Sequence, residues 1–138
     1  METSVPLLVV INAEAEDHAV LDDIFRSVKA RVFYFKTFQQ ALAVLDMASV
    51  VLCDEELSDA SWRNVLRRLE EMPEPPVLIV AAPFIDNLLW AAVLNEGGHD
   101  VLAKPFRATE VLQSVASGLR RRQTRNESRQ ERRYRSAP

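Results

Sequence analysis

The stretch VVLCDEEL, residues 50–57, is the segment of the sequence that most clearly indicates the fold. A short apolar run containing β-branched residues ends abruptly in three acids, as a strand buried on both faces does where it reaches a polar loop. A second junction of this kind lies in GGHDVLAKPF, residues 97–106, where an apolar run ends in Lys104 and Pro105. We therefore expect two buried strands, one ending at the acid Asp54 and the other at a lysine.

Along the chain, five apolar runs alternate with amphipathic segments. The runs are Leu7–Ile11, Val32–Phe35, Val50–Cys53, Val77–Ala82 and Val101–Ala103. Apolar residues at helical spacing follow each run, and Thr37, Ser61 and Asp86 are suitable N-caps for three of these helices. This alternation is typical of a parallel sheet with helices on both faces. The sequence thus predicts a doubly wound α/β fold with five parallel strands.

The composition excludes several classes of protein. The 138 residues are 48% hydrophobic and 27% charged, which fits one folded domain and not a disordered chain. No apolar run approaches the roughly 18 residues of a membrane span. Cys53 is the single cysteine, so a disulfide framework is excluded, and three glycines leave little scope for a phosphate-binding loop. We expect a cytoplasmic protein without membrane contacts.

Charge divides the chain into two parts. Residues 1–116 hold 9 Lys and Arg against 18 Asp and Glu, a net charge of −9, whereas residues 117–138 carry 8 Arg and 2 Glu, a net charge of +6. We accordingly assign residues 1–119 to a domain and residues 120–138 to an Arg-rich C-terminal extension. Nucleic acid is expected to bind, if at all, only through this extension.

The extension has no apolar residue between Leu119 and Tyr134. Since nothing apolar would fix it to the domain, we expect it to be solvated and to contribute little to folding. A continued helix with a basic stripe, an acidic or nucleic-acid partner and a dimer contact are the alternatives.

Functional residues of an open α/β sheet gather at the carboxyl ends of its strands. Asn12, Ala13 and Glu14 follow the first run, and Asp54 and Lys104 follow the third and the fifth. An acid and a lysine are therefore predicted to converge from two separate strands.

At these residues the chain resembles the receiver domain of bacterial two-component response regulators. VVLCDEEL resembles the third strand of that family, PPVLIVAA at residues 75–82 the fourth, and GGHDVLAKPF the fifth. The resemblance implies a flavodoxin-like fold with strand order 2-1-3-4-5. It also implies that Asp54 accepts a phosphoryl group, that Lys104 contacts the phosphate, and that the partners are a histidine kinase or phosphotransfer protein and a downstream protein.

The metal site departs from the family pattern. The family usually carries two adjacent acids after its first strand to hold Mg²⁺, and this chain has Asn12 and Ala13 instead. The remaining ligands would be Asp54, the backbone carbonyl of Glu56 and the amide oxygen of Asn12, with Glu14 as a further nearby acid. Since Mg²⁺ prefers charged oxygen ligands, we expect it to bind weakly or not at all.

The switch positions depart as well. The hydroxyl residue that ends the fourth strand in the family corresponds to Ala81, or to Ala82 if the register shifts by one. The family's aromatic switch residue corresponds to Val101. Both switch positions are therefore degenerate.

Three functions follow from these patterns. The first is a phosphorelay receiver, which is not an enzyme beyond a self-catalysed phosphoryl transfer to its own Asp54. The second is a pseudo-receiver that acts as a phosphorylation-independent protein-interaction module. The third, a small flavodoxin-like enzyme, is disfavoured because no nucleophile–base pair or cofactor loop is present.

Overall fold

A computed structural model of the chain describes residues 5–136. Five strands form one parallel sheet in the order β2-β1-β3-β4-β5. They are β1 Leu7–Ile11, β2 Arg31–Phe35, β3 Val50–Asp54, β4 Val77–Ala82 and β5 Asp100–Ala103. The predicted fold class, strand number and strand order are confirmed.

Within residues 5–136, five α-helices connect and extend the strands. They are α1 Ala15–Phe25, α2 Phe38–Ala41, α3 Trp62–Glu70, α4 Asn87–Glu96 and α5 Ala108–Ser136. Thr37, Ser61 and Asp86 cap α2, α3 and α4 as predicted, each accepting a hydrogen bond from a backbone N–H of the first turn. The helix predicted after Thr37 is only partly α-helical, because α2 continues as a 3₁₀ helix over Leu42–Met47.

The sheet separates two apolar cores. Helices α2, α3 and α4 cover one face, and α1 and α5 cover the other. All five residues of β3 are buried, with Val51 and Cys53 in the first core and Val50 and Leu52 in the second. Each such side chain contributes about 1.5–3 kcal/mol when fully buried. Burial on both faces explains why this strand is continuously apolar up to Asp54.

Helix α5 corrects the expectation of a solvated extension. It passes Leu119 without a break and continues to Ser136. Arg122, Arg125 and Arg129 are partly buried, and they donate hydrogen bonds to carbonyls of the loop between α3 and β4. We call these three residues the arginine clamp. Its contacts are Arg122 Nη2 to Glu74 O at 3.1 Å, Arg125 Nη2 to Pro75 O at 2.9 Å and Arg129 Nη1 to Pro73 O at 2.8 Å.

The clamp fixes α5 by polar contacts where apolar ones are missing. The long Arg stem crosses the gap to the loop, and the planar guanidinium offers several donors to its carbonyls. A search for apolar periodicity does not detect such contacts. Across residues 5–136 no helix has both the length and the apolar character needed to cross a membrane.

Removing the extension should therefore destabilise the domain. A chain that ends after Leu119 loses the hydrogen bonds of the clamp, whose charged donors stabilise the folded state. Its unfolding free energy should fall by about 1–3 kcal/mol, a range limited by the partial exposure of these bonds to solvent. A chain that ends after Arg129 keeps the clamp and should stay within about 0.5 kcal/mol of the full chain. Urea denaturation of the three chains measures the difference, and equal stabilities would contradict the role of the clamp.

His99 should make stability depend on pH. Its Nε2 lies 2.8 Å from Ser117 Oγ and its Nδ1 lies 3.4 Å from Arg121 Nη1. Burial, followed by the charge of Arg121, lowers the pKa of His99. In the unfolded chain the pKa of this histidine is about 6.5, so the unfolded chain takes up a proton more readily than the folded chain does. The unfolding free energy therefore falls as pH decreases from 7 to 5. Urea denaturation at both pH values should give a smaller loss for His99→Gln, and an identical loss would refute this.

Candidate functional site

Four side chains meet at the carboxyl edge of the sheet. Asn12 directly follows β1, Asp17 lies in the first turn of α1, Asp54 ends β3 and Lys104 directly follows β5. Parallel strands bring their carboxyl ends to one edge, which is why residues so distant in sequence are neighbours. As expected, Asp54 and Lys104 converge, with Lys104 Nζ 2.7 Å from Asp54 Oδ1.

Both oxygens of Asp54 accept hydrogen bonds. Oδ1 accepts from Asn12 Nδ2 at 2.6 Å as well as from Lys104, and Oδ2 accepts from the backbone N–H of Ala13 at 3.3 Å. The Asp54 side chain is 10% exposed. A buried carboxylate needs such donors, since an unpaired charge in this position would be costly.

Asp17 is the site residue that the sequence analysis missed. Its Oδ2 lies 2.6 Å from Lys104 Nζ, so one ammonium joins two carboxylates. Glu14, the nearby acid expected from the sequence, has an exposed side chain at the N-cap of α1. Asp17 lies three residues further, nearly one helical turn, and this spacing was the available signal.

The pKa of Lys104 reflects these neighbours. Burial lowers it, but hydrogen bonds to Asp17 and Asp54 and the charges of both carboxylates outweigh burial, so the pKa is raised overall. Lys104 is therefore a permanent cation at neutral pH. Its backbone N–H donates to Ala82 O at 2.9 Å, and this bond fixes the lysine at the end of β5. The following Lys104–Pro105 peptide bond is cis.

Asn12 is held rigidly beside Asp54. It is fully buried, its backbone N–H donates to Phe35 O at 2.9 Å, and its backbone carbonyl lies 3.0 Å from His18 Nε2. The side-chain Oδ1 of Asn12 is buried and has no hydrogen-bond partner within residues 5–136. Asn12 thus offers one free neutral oxygen next to the carboxylate.

The residues of the site fit Mg²⁺ poorly. Both carboxylates are already bonded to the ammonium of Lys104, and Asn12 adds only a neutral oxygen. Between residues 5 and 136 no group of three or more His, Cys, Asp or Glu side chains is arranged to hold a metal ion. The Glu56 side chain is exposed, and its backbone carbonyl as a metal ligand stays a prediction.

Of the two degenerate switch positions, Ala81 lies beside the site and Val101 lies in the core beneath it. Ala81 is the partner of Asp54 in the β3–β4 register, and its carbonyl accepts a hydrogen bond from the Glu55 N–H at 2.8 Å. Val101 is buried in the core under α2, α3 and α4. Neither side chain can form a hydrogen bond, and their inability to act as switch residues stays a prediction.

Comparison with known sequences gives response regulators. The chain is 32% identical over 114 residues to the transcriptional regulatory protein CreB of Escherichia coli (strain K12), covering 77% of this chain and 48% of CreB. It is 28% identical over 109 residues to the two-component response regulator ORR6 of Oryza sativa subsp. japonica, covering 73% of this chain and 64% of ORR6. The chain thus spans about half to two thirds of the length of these relatives. No family model matches it.

Comparison with solved structures gives receiver domains. The signal receiver domain of an HD domain-containing protein from Pseudomonas fluorescens Pf-5 superposes with a TM-score of 0.81 at 19% identity, covering 92% of this chain and 96% of that one. A response regulator receiver domain protein from Clostridium thermocellum gives a TM-score of 0.77 at 16% identity, covering 87% and 98%. At such identities these likenesses establish the fold. Together with the sequence relatives and the meeting of Asp54 and Lys104, they identify the chain as a receiver domain of the two-component response-regulator type.

Proposed function

We propose that this receiver domain takes part in a phosphorelay and accepts a phosphoryl group on Asp54. The observation that carries the proposal is the 2.7 Å contact between Lys104 Nζ and Asp54 Oδ1. A phosphohistidine of a histidine kinase or phosphotransfer protein is the donor. The P–N bond of that phosphohistidine breaks, a P–O bond to an Asp54 oxygen forms, and the released imidazole takes up a proton from solvent.

Lys104 and the Ala13 N–H support this transfer. The ammonium already lies beside the carboxylate, so a short shift brings it onto an oxygen of the incoming phosphoryl group, whose negative charge it can stabilise. The Ala13 N–H, 3.3 Å from Asp54 Oδ2, supplies a second fixed donor. Asp17 keeps the lysine in place through their 2.6 Å contact and acts as a positioning residue.

The second candidate is a pseudo-receiver that binds its protein partner without phosphorylation. The hydrogen bonds from Asn12, Lys104 and Ala13 favour it, because they satisfy Asp54 before any phosphoryl group arrives. The side chains of Ala81 and Val101 favour it too, since they gain no new contact in a phosphorylated state, and a state without differential contacts is not selected.

Further properties belong to the phosphorelay proposal. Output runs through a downstream protein, and the domain catalyses nothing beyond its own phosphorylation. Mg²⁺ binds weakly, because Asn12 and Ala13 contribute no charge. A cytoplasmic location agrees with a histidine kinase or phosphotransfer protein as partner.

Intact-mass spectrometry after incubation with acetyl phosphate and Mg²⁺ separates the two functions. A phosphoryl acceptor should gain the mass of one phosphoryl group, and Asp54→Asn should gain none. Lys104→Ala should slow the gain by roughly a hundredfold, the typical loss on removing one preorganised charge-stabilising donor. Absence of any mass gain in the unaltered chain, or an equal gain in Asp54→Asn, would reject phosphorylation at Asp54 and leave the pseudo-receiver.

Restoring the missing acids should restore metal affinity. The double variant Asn12→Asp with Ala13→Asp adds two charged oxygen ligands beside Asp54, so calorimetry should give about tenfold tighter Mg²⁺ binding or more. The matched control is Glu16→Gln, which removes an exposed acid of the same segment and should leave affinity within about twofold. Equal affinity of the double variant and the unaltered chain would contradict the ligand argument.

A further inference from the structure

The arginine clamp forms no ion pair within residues 5–136, although the charge of Glu74 acts on Arg122. Ion pairs closer than 4.0 Å in this part of the chain involve Arg26, Arg63, Arg68 and Lys104, and none involves an arginine of α5. The clamp residues instead donate to neutral backbone carbonyls. A guanidinium has five N–H donors, so these contacts leave donors free for another acceptor.

Arg125 provides a free donor directed into the protein. Its Nη2 is bonded to Pro75 O, whereas its Nε is buried and has no acceptor within the described residues. Buried donors are normally satisfied, and an unsatisfied one costs about as much as a lost hydrogen bond. Burial, followed by the charges of Arg121, Arg129 and Arg122, lowers the pKa of Arg125. An anion beside the terminal nitrogens of Arg125 would relieve the repulsion among these guanidinium groups, although the buried Nε itself is out of its reach.

A cavity lies beside these arginines. Its volume is about 180 Å³, and it is lined by Leu66, Leu69, Pro75 and Pro76 on the domain side and by Arg125 and Arg129 on α5. It lies next to the start of β4, at the amino edge of the sheet, and thus at the opposite end from Asp54. The volume suits one or two phosphate groups and is too small for a folded peptide or a nucleic-acid duplex.

Glu70 also lines the cavity. Its Oε2 is directed toward Gly97, 3.6 Å from the point that a Cβ at that residue would occupy, and it forms no ion pair with the clamp. It therefore leaves the arginines available, although its charge opposes an anion. This residue supplies a variant that should strengthen binding.

We propose that Arg125 and Arg129, with Arg122 behind them, form a binding site for a small phosphate-bearing anion. Planar guanidinium groups bind phosphate oxygens through paired, charge-assisted hydrogen bonds, which selects phosphate over monovalent anions. The site is independent of Asp54 and of phosphoryl transfer. A bound anion would neutralise the clamp and fix α5 more firmly against the loop between α3 and β4.

Calorimetric titration of the full chain with inorganic pyrophosphate at low salt tests the site. Arg125→Gln and Arg129→Gln should each weaken affinity about tenfold, since each loses a charge-assisted pair of contacts. Glu70→Gln should tighten it by removing the opposing charge. Arg133→Gln, in the exposed last turn of α5, is the matched control and should change affinity less than twofold. Melting temperatures confirm that each variant is folded, and Arg129→Gln carries the test if Arg125→Gln is unfolded.

Three results would overturn the proposal. One is the absence of pyrophosphate binding up to millimolar concentration in both the unaltered chain and Glu70→Gln. The second is an equal loss of affinity in Arg133→Gln and Arg125→Gln, which would make attraction a diffuse property of the basic helix. The third is that the chain binds a short DNA duplex but no pyrophosphate, which would indicate a nucleic-acid surface and no anion site in the cavity.

Discussion

A single ammonium group, that of Lys104, holds two carboxylates together at the carboxyl edge of the sheet. Asp17 and Asp54 approach it at 2.6 and 2.7 Å, and all three side chains are at most 19% exposed. Without the lysine, two negative charges would share one desolvated place, and breaking a buried pair in this way typically costs about 3–5 kcal/mol. One charge thus joins the ends of strands β3 and β5 and the first turn of α1. Any chemistry at Asp54 depends on the same charge.

This arrangement also explains how the chain departs from its family and remains recognisable. The acids expected after β1 are replaced by Asn12 and Ala13, which contribute an amide and a backbone N–H to Asp54. A neutral amide, a backbone N–H and a lysine thereby stabilise the carboxylate of Asp54.

The parts of the structure that the sequence predicts are those set by burial and chain punctuation. The runs predicted to end at Ile11, Cys53 and Ala82 are strands within one residue of expectation, because burial on both faces requires continuous apolar sequence. The spacing of Asp17 from Glu14 indicates that it lies near the site, but its contact with Lys104 could not be derived, since that contact depends on the rotation of α1 against β5. The clamp of α5 could not be derived either, because contacts between guanidinium groups and carbonyls leave no apolar periodicity. Both exceptions are polar contacts between elements far apart in sequence.

The pKa of Lys104 shows whether its charge holds Asp17 and Asp54 together. A ¹⁵N NMR titration of its ammonium group should give a pKa above the ordinary value of about 10.4, because Asp17 and Asp54 both stabilise the charged form. In Asp17→Asn the pKa should fall, since one of the two carboxylates is gone while burial remains. A lysine that titrates at the ordinary value in both proteins would contradict the claim that its charge holds the site together.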